Sequence, residues 1–194
     1  MRLRQRQVGL QRAIGGRIDI KEVQFVDAME AILSRRSIRK YTREPVPDDT
    51  LKEILEAAMS APSAGNEQPW HFVVINDRKI LDEIPRVHPY SQSIKTASVA
   101  VVVCGDLKLE VHKDFWVQDC SAATQNMLVA VQAKGLGAVW LGIHPIAERV
   151  KGMQRLLRLP DRVIPLVVIP IGYPDEHKPG ANRFNTSRIH HNSW

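Results

Sequence analysis

Five consecutive residues carry the densest chemistry in this chain: Arg35-Arg36-Ser37-Ile38-Arg39. Three guanidiniums and a hydroxyl lie side by side. Like charges at that density repel one another unless an anion neutralises them. Arg offers a rigid fork of donors that matches phosphate, and a serine hydroxyl adds one more. The competing reading is a solvated basic helix end that complements the helix dipole. A second stretch, Pro62-Ser63-Ala64-Gly65-Asn66-Glu67-Gln68-Pro69-Trp70, joins small residues, prolines and two side-chain amides. That composition makes a rigid loop with exposed backbone donors. Asn66 and Gln68 each present a donor and an acceptor, which suits the edge of a planar heterocycle. Alternatively the stretch is a plain turn anchored in the core by Trp70.

Other chemistries find no residues to carry them. Gly135-x-Gly137 follows a predicted helix and precedes a strand, the reverse of a dinucleotide fingerprint. There is no P-loop and no G-x-S-x-G nucleophile elbow. His190 and His191 are adjacent and so point to different faces, while His88, His112, His144 and His177 are scattered. No metal site is expected from that pattern. A chain with an anion-binding segment and an amide-rich loop, yet no catalytic side-chain set, fits a protein whose cofactor carries the reaction.

These segments need elements to position them. A helix is predicted over Phe25–Ser34, with Asp27 and Glu30 at capping-box spacing and Met29, Ile32 and Leu33 as its apolar face. The basic cluster lies at its C-terminal end. Tyr41 to Pro47 is an extended connector that two prolines keep from being helical. Asp48 caps a second helix whose apolar residues are Leu51, Ile54, Leu55, Ala58 and Met59. A short strand follows from His71 to Asn76, then a helix capped by Asp77 and ending at Ile84. Residues 85–96 read as irregular, a mobile segment that could cover a site.

Ser98 to Cys104 is an unbroken apolar run, the mark of a central strand buried on both faces. Lys113 to Lys134 forms the longest helix, with Trp116, Cys120, Ala123, Met127 and Val131 in one stripe. Asp119, Gln125 and Asn126 are its polar exceptions and need partners, in a loop or in one another. Gly135 to Gly137 ends it, Ala138 to Ile143 is a strand, and Pro145 opens a helix through Leu157. Ile164 to Ile171 is another strand, with Pro165 and Pro170 expected at its ends or on a sheet edge. The polar C-terminal stretch ends in Trp194, which is expected to pack on something, a partner subunit being one candidate.

The net charge of +6 invites a nucleic-acid reading, which its location removes. Residues 1–18 hold five arginines and no acid, leaving 22 basic and 21 acidic residues in the rest of the chain. The body is near neutral, without a basic stripe interleaved by aromatics, so no nucleic-acid partner is expected. Residues 1–19 read as a basic tail, either disordered or docked on a partner chain, or an upstream start. Residues 20–194 read as one domain. No apolar run approaches the roughly 18 residues of a membrane span, and the tail lacks a secretory h-region. Cys104 and Cys120 read as small buried hydrophobes in a reducing cytoplasm.

Four blocks then bear on identity together. Arg35-Arg36-Ser37-Ile38-Arg39 with Tyr41, Pro62 to Trp70, Gly135-Leu136-Gly137-Ala138-Val139-Trp140-Leu141-Gly142, and Gly172-Tyr173-Pro174 before a basic tail resemble the FMN-dependent nitroreductase family, in that family's order and over roughly residues 25–194. The resemblance implies an α+β fold with a mixed central sheet flanked by helices, in an intertwined homodimer. It implies tightly bound FMN at the subunit interface, NAD(P)H as electron donor, and no metal. Arg35, Ser37 and Arg39 would bind the phosphate and ribityl chain, with Arg36 alongside. Arg183 would join them, with Lys178 and Arg188 as competitors for that role. Pro62, Ser63, Ala64, Asn66 and Gln68 would reach the flavin from the other subunit. Trp140, Leu141 and Gly142 would line the ring, with a backbone N–H near Gly142 directed at N5. The implied activity passes hydride from NAD(P)H through N5 to nitroaromatics, quinones or related small acceptors by a ping-pong route. A same-fold enzyme of narrower chemistry (reductive dehalogenation or substrate oxidation) and a non-enzymatic flavin-binding protein are the alternatives.

Overall fold

The apolar run becomes a strand with every residue buried, and its two faces divide the core. A computed structural model of the chain describes residues 27–194. The basic tail and the start of the first predicted helix lie outside the described residues. The strand is β2 (Val99–Asp106), and it alternates as a pleated strand must. Val99, Val101 and Val103 join the core on one face with Ile54, Ala123 and Met127. Ala100, Val102 and Cys104 join the core on the other with Leu81, Ile84 and Met153. The first face is covered by α2 (Asp48–Met59) and α4 (Trp116–Ala133), the second by α3 (Arg78–Val87) and α5 (Ala147–Leu157). Covering both faces is why the central strands are continuously apolar.

The sheet runs β1 (Trp70–Ile75), β2, β5 (Val163–Gly172), then the short pieces β3 (Gly137–Ala138) and β4 (Leu141–Gly142), which both pair with β5. All of these pairs are antiparallel. The parallel component is one bridge, Ser37 to Ala138, which lays the basic segment alongside β3. The fold is thus α+β, with the helix-flanked central sheet that the sequence implies.

α1 (Ala28–Ser34) begins as expected, with the Asp27 carboxylate accepting from the N–H groups of Met29 and Glu30. Its apolar face is a different matter. Met29, Ile32 and Leu33 are exposed on this chain, and Ala31 alone is buried. α2 begins at Asp48 itself, with Pro47 as the capping residue rather than Asp48.

Three further expectations are corrected. Residues 85–96 are not a loose cover. α3 runs through Pro85 to Val87, and His88, Ser91 and Ile94 are buried. Pro85 removes the N–H that would donate to the Leu81 carbonyl, yet the helix continues past it, with His88 N–H donating to the Ile84 carbonyl at 2.9 Å. Arg78 pins the segment further by donating to the carbonyls of Ile94 and Ala97 at 3.0 Å. Pro165 and Pro170 lie within a central strand, not at an edge. Pro165 falls where the β2–β5 register shifts at a bulge, and Pro170 faces the gap between β3 and β4, so neither removes a ladder bond. The predicted strand Ala138–Ile143 is accordingly two short pieces. Trp194 is fully exposed on this chain, stacked on His190 at 4.2 Å. Cys104 and Cys120 are buried and unpaired, and burial pushes the Cys104 thiol up to about 12. Among the described residues no helix is long and apolar enough to cross a membrane, and no His, Cys, Asp and Glu cluster could hold a metal.

Candidate active site

The basic segment leaves α1 in extended form and is stitched to the sheet. Ile38 N–H donates to the Ala138 carbonyl at 2.9 Å. The Ile38 side chain lies so close over Gly137 that a Cβ there would come within 2.7 Å of it. Glycine at 137 is therefore required by this packing. Tyr41, buried, donates its hydroxyl to the carbonyls of Ile38 and Pro170, and burial raises its pKa.

The cations in this segment are not equivalent. Arg36 donates to the carbonyls of Pro179 (2.9 Å), Leu33 (2.9 Å) and Arg35 (2.7 Å), clasping the C-terminal segment to the end of α1. Lys178 donates to the Ser37 carbonyl at 2.6 Å and pairs with Glu176 at 3.3 Å. Glu176, held below the usual carboxylate range first by the Arg39 backbone N–H, is already engaged. Arg35 stands apart. It is half-buried, and its guanidinium has no hydrogen-bond partner among the described residues. Burial lowers its pKa first, and the positive charges of Arg183 and then Arg36 lower it further. Of the three candidates in the tail, Arg183 is thus the one whose charge acts on Arg35. Lys178 is occupied elsewhere. The Arg39 side chain and the Ser37 hydroxyl likewise have no protein partner among the described residues.

The Pro62–Trp70 loop is strained and braced. Gly65, Asn66 and Gln68 all have positive φ, at 51°, 59° and 47°. Glycine and asparagine adopt this region readily; for Gln68 it costs roughly 1 kcal/mol or more and needs support. Support comes from three directions. The Asp119 carboxylate accepts from Ala64 N–H at 3.0 Å, and Ser63 Oγ accepts from Gln68 N–H at 3.0 Å. Glu67 Oε2 accepts from the N–H groups of Val111 (2.7 Å) and His112 (2.8 Å). The His112 ring lies against Gly65, where a Cβ would meet Nε2 at 2.4 Å. The Gln68 amide donates to Asn66 Oδ1 at 2.9 Å, so the amide N–H group of Asn66 and the amide oxygen of Gln68 are left outward.

Beneath the loop Glu67 and Asp119 face each other. Glu67 Oε1 and Asp119 Oδ2 are both buried without a donor, which two ionised carboxylates could not sustain at close range. One shared proton resolves this, and it resides on Asp119. Burial raises Asp119, and Glu67 raises it further. Burial also pushes Glu67 upward, but the His112 and Val111 N–H groups and the Asp119 hydroxyl outweigh it and hold Glu67 low. Glu67 did not emerge from the sequence as a functional residue. The polar Asp119 on the apolar stripe of α4 was its one visible trace.

The third block lies at the β5 end of the sheet. Leu141 is buried and Trp140 partly exposed. Gly142 pairs opposite Val167, while the next residue, Ile143, donates to the Leu166 carbonyl at 2.9 Å. In an antiparallel ladder this makes Gly142 a non-hydrogen-bonded position, with its N–H and C=O turned away from β5. Its carbonyl accepts from His88 Nε2 and Arg149, each at 2.9 Å. A Cβ on Gly142 would meet nothing closer than Trp140 Nε1 at 4.0 Å. Unlike Gly137, Gly142 answers to no crowding within this chain, and the space beside its backbone stays open.

Three of the four blocks meet in one chain, through the Ser37–Ala138 and Tyr41–Pro174 bridges. The Ser37–Ala138 bridge brings Arg35, Ser37 and Arg39 beside the strand that leads to Trp140, Leu141 and Gly142, and Arg183 joins them. Pro62, Ser63, Ala64, Asn66 and Gln68 lie elsewhere. Their loop enters β1, at the opposite edge of the sheet, three interstrand steps or about 14 Å from β4. It braces against Asp119 near the start of α4, whereas a cleft of about 310 Å³ places Arg36 beside Gln132 and Leu136 at that helix's other end. About 20 Å of helix separates Asp119 from Gln132.

This architecture is matched among known proteins. The nitroreductase family model matches residues 32–91 and 86–173. A protein of Methanothermobacter thermautotrophicus, named an NADH dehydrogenase/NAD(P)H nitroreductase, is 50% identical over 173 residues, covering 89% of this chain and 91% of its own. A crystal structure of a similarly named protein from Parabacteroides distasonis superposes with a TM-score of 0.83 at 41% identity, covering 86% of this chain and 98% of its own. A nitroreductase from Desulfovibrio desulfuricans, solved in complex with FMN, superposes with a TM-score of 0.75 at 33% identity, covering 86% and 97%. With matches of this extent over the sheet, the basic segment and the glycine edge alike, the chain belongs to the nitroreductase family.

Proposed function

We propose that this protein binds FMN and works as an NAD(P)H-dependent oxidoreductase on small acceptors such as nitroaromatics and quinones. The observation that carries the reading is Arg35, a half-buried guanidinium without a hydrogen-bond partner among the described residues, repelled by Arg183 and Arg36. Such a cation is stabilised by a bound dianion and by little else nearby. The open space at Gly142 supports the same reading, because a glycine that nothing in its own chain demands leaves room for a flat ring against the backbone.

Arg35, Arg39, Arg183 and Ser37 would hold the phosphate end, with Arg36 fixing the segment that presents them. Trp140, Leu141 and Gly142 would line the ring. The chemistry supplied by bound FMN is hydride transfer at N5, from NAD(P)H in one half-reaction and to the acceptor in the next. The residues of the chain bind, orient and stabilise charge. The outward N–H of Gly142 would supply a fixed dipole beside the ring, and a dipole set in place beforehand needs no reorganisation during reaction. The reading asks no side chain to act as general acid or base.

The working unit in this reading is a homodimer. The Pro62–Trp70 loop lies too far from the Arg35 segment of its own chain to share one ligand with it, so a second copy would bring its loop to the first copy's phosphate site. The exposed apolar side chains of Met29, Ile32 and Leu33, and the exposed C-terminal stretch ending in Trp194, support such an interface. Buried, reduced Cys104 and Cys120 support a cytoplasmic setting.

The test is the absorption spectrum of the purified protein followed by anaerobic titration with NADH and NADPH. A flavin spectrum that either donor bleaches, and that a nitroaromatic or quinone restores, is expected. A colourless protein that takes up no added FMN would refute the reading. Bound flavin that neither donor reduces would point to a flavin-binding protein without turnover.

A further inference from the structure

Two donors from different elements converge on one backbone oxygen. His88, just past the end of α3, and Arg149, in α5, both reach the Gly142 carbonyl at 2.9 Å, and lie 3.3 Å from each other. His88 is 2% exposed. Donation from Nε2 assigns it the neutral tautomer with the proton on that atom, and its Nδ1 is buried without a partner. Burial disfavours a second proton on the ring, and the adjacent Arg149 charge disfavours it further. Arg149 is itself held over the Tyr90 ring, 5.6 Å from its centroid. On the other side of the same peptide, Ile143 N–H donates to the Leu166 carbonyl. The Gly142–Ile143 peptide is thus gripped at both its oxygen and its nitrogen. Glycine is the residue that most needs such a grip, since its backbone rotates most readily.

We infer that His88 and Arg149 are positioning residues that lock the Gly142 backbone, so that its N–H faces the ring site, and that the Arg149 charge favours an electron-rich ligand there. This rests on the FMN reading above and adds two residues to it that no cofactor contact includes. A strand edge would be satisfied by a single donor or by water. In strands the N–H and C=O of one residue point to the same side, so fixing the oxygen fixes the direction of the N–H. A positive charge one residue from a donor strengthens that donor's pull on an anion more than on a neutral ring.

The experiment compares wild type with Arg149→Met, Arg149→Lys, His88→Leu and His88→Gln. Two quantities are read: the midpoint potential of bound FMN, and amide hydrogen exchange in the flavin-free protein. Arg149→Met is expected to weaken binding of reduced relative to oxidised FMN at least tenfold, a fall of about 30 mV for a two-electron couple. Arg149→Lys, which keeps the charge, is expected to restore most of it. His88→Leu is expected to speed exchange at Ile143 and His144 at least tenfold while distant β2 amides are unchanged, and His88→Gln, which keeps a donor, to leave them protected. FMN bound at unchanged potential in Arg149→Met, or unchanged exchange at Ile143 in His88→Leu, overturns the positioning role and leaves the FMN reading standing. Wild type that takes up no FMN overturns that reading instead. The exchange measurement needs no flavin, so it separates the two failures. A fold-wide rise in exchange in His88→Leu, in which the β2 amides speed up as much as Ile143 and His144, marks a purely structural role and also overturns the inference.

Discussion

Replacing Arg35 with alanine separates ligand binding from folding more cleanly than any other substitution in this chain. Among the described residues the Arg35 side chain has no hydrogen-bond partner, so its removal leaves none of their acceptors unsatisfied. Its pKa lies below the ordinary arginine value, which means the folded state disfavours the charge relative to the unfolded chain. Deleting that charge relieves repulsion with Arg183 and Arg36. The flavin-free stability is therefore expected to stay within about 0.5 kcal/mol of wild type, or to rise. With a phosphate present the balance reverses. A charge-assisted hydrogen bond contributes roughly 1.5–3 kcal/mol, so losing one weakens FMN binding by roughly 10- to 150-fold. Arg35→Lys keeps the charge but loses the fork and is expected to fall between. Arg36→Ala is the internal control. It removes three bonds to carbonyls at the α1 end and the C-terminal segment, and is expected to lower stability by about 1–2 kcal/mol. FMN fluorescence quenching measures the affinities, repeated over a salt series that should weaken wild-type binding far more than Arg35→Ala. Thermal unfolding of the flavin-free proteins measures the rest. Unchanged FMN affinity in Arg35→Ala, or a flavin-free melting point that drops as far as that of Arg36→Ala, would refute the assignment.

Three other outcomes follow from the geometry. Gly142→Ala is expected to fold normally and lose FMN affinity at least tenfold, because the added Cβ meets no atom of its own chain within 4.0 Å but fills the open side of the backbone; Gly137→Ala, driven into Ile38, is expected to lose stability instead, and unfolding and flavin titrations of the pair distinguish them. Leu33→Glu, which puts a charge on the exposed apolar face of α1, is expected to give a monomer by sedimentation and to release FMN; a dimer that keeps its flavin would show that this face is not the interface. In the Glu67–Asp119 pair the raised Asp119 stabilises the fold at low pH, where it is protonated in both states, and that contribution is lost as pH rises from the ordinary aspartate range through its raised folded value. The lowered Glu67 contributes above the ordinary glutamate range and loses its contribution as pH falls through its depressed folded value. Asp119→Asn, whose amide can donate to Glu67 without a titrating proton, is expected to remove the loss on the alkaline side, and melting curves against pH that remain parallel to wild type would contradict the shared proton.

Where a signal was local or periodic, the sequence carried it. The alternation of β2 is visible because Val99, Val101 and Val103 and the residues between them need only be apolar on both faces. The stripe of α4 and the Asp27 cap are visible because their partners lie two to four residues away. Prolines misled for the same reason. Pro165 and Pro170 are excluded from central strands only where a partner requires their N–H, and the bulge and the β3–β4 gap that excuse them belong to other segments. Pro85 and the irregular composition after it suggested a loose cover, but burial of His88, Ser91 and Ile94 is decided by α5 and by Arg78, not by residues 85–96 themselves. Within the candidate site, side chains were legible and their engagement was not. Glu67 reads as one polar residue in a turn until Asp119, far along the chain, comes to face it. Gly142 reads as a strand glycine until His88 and Arg149 arrive from two helices on one face of the sheet.

Arg35 and Arg36 bring the same point to a single peptide bond. They are identical in type and adjacent in sequence, so no property of the local chain tells them apart. What differs is the supply of acceptors. Arg36 turns toward the end of α1 and the Pro179 segment, where three carbonyls engage it. Arg35 feels the Arg183 charge instead, and no acceptor among the described residues engages it. A guanidinium desolvated without a partner is costly, and a fold keeps one only where something outside the chain completes it. The unsatisfied cation, not the density of cations, is therefore the feature that marks the phosphate end of the site. By the same reasoning the glycine that marks its ring end is the uncrowded Gly142 and not the crowded Gly137. In both pairs the residue that its own chain leaves incomplete is the one assigned to the ligand.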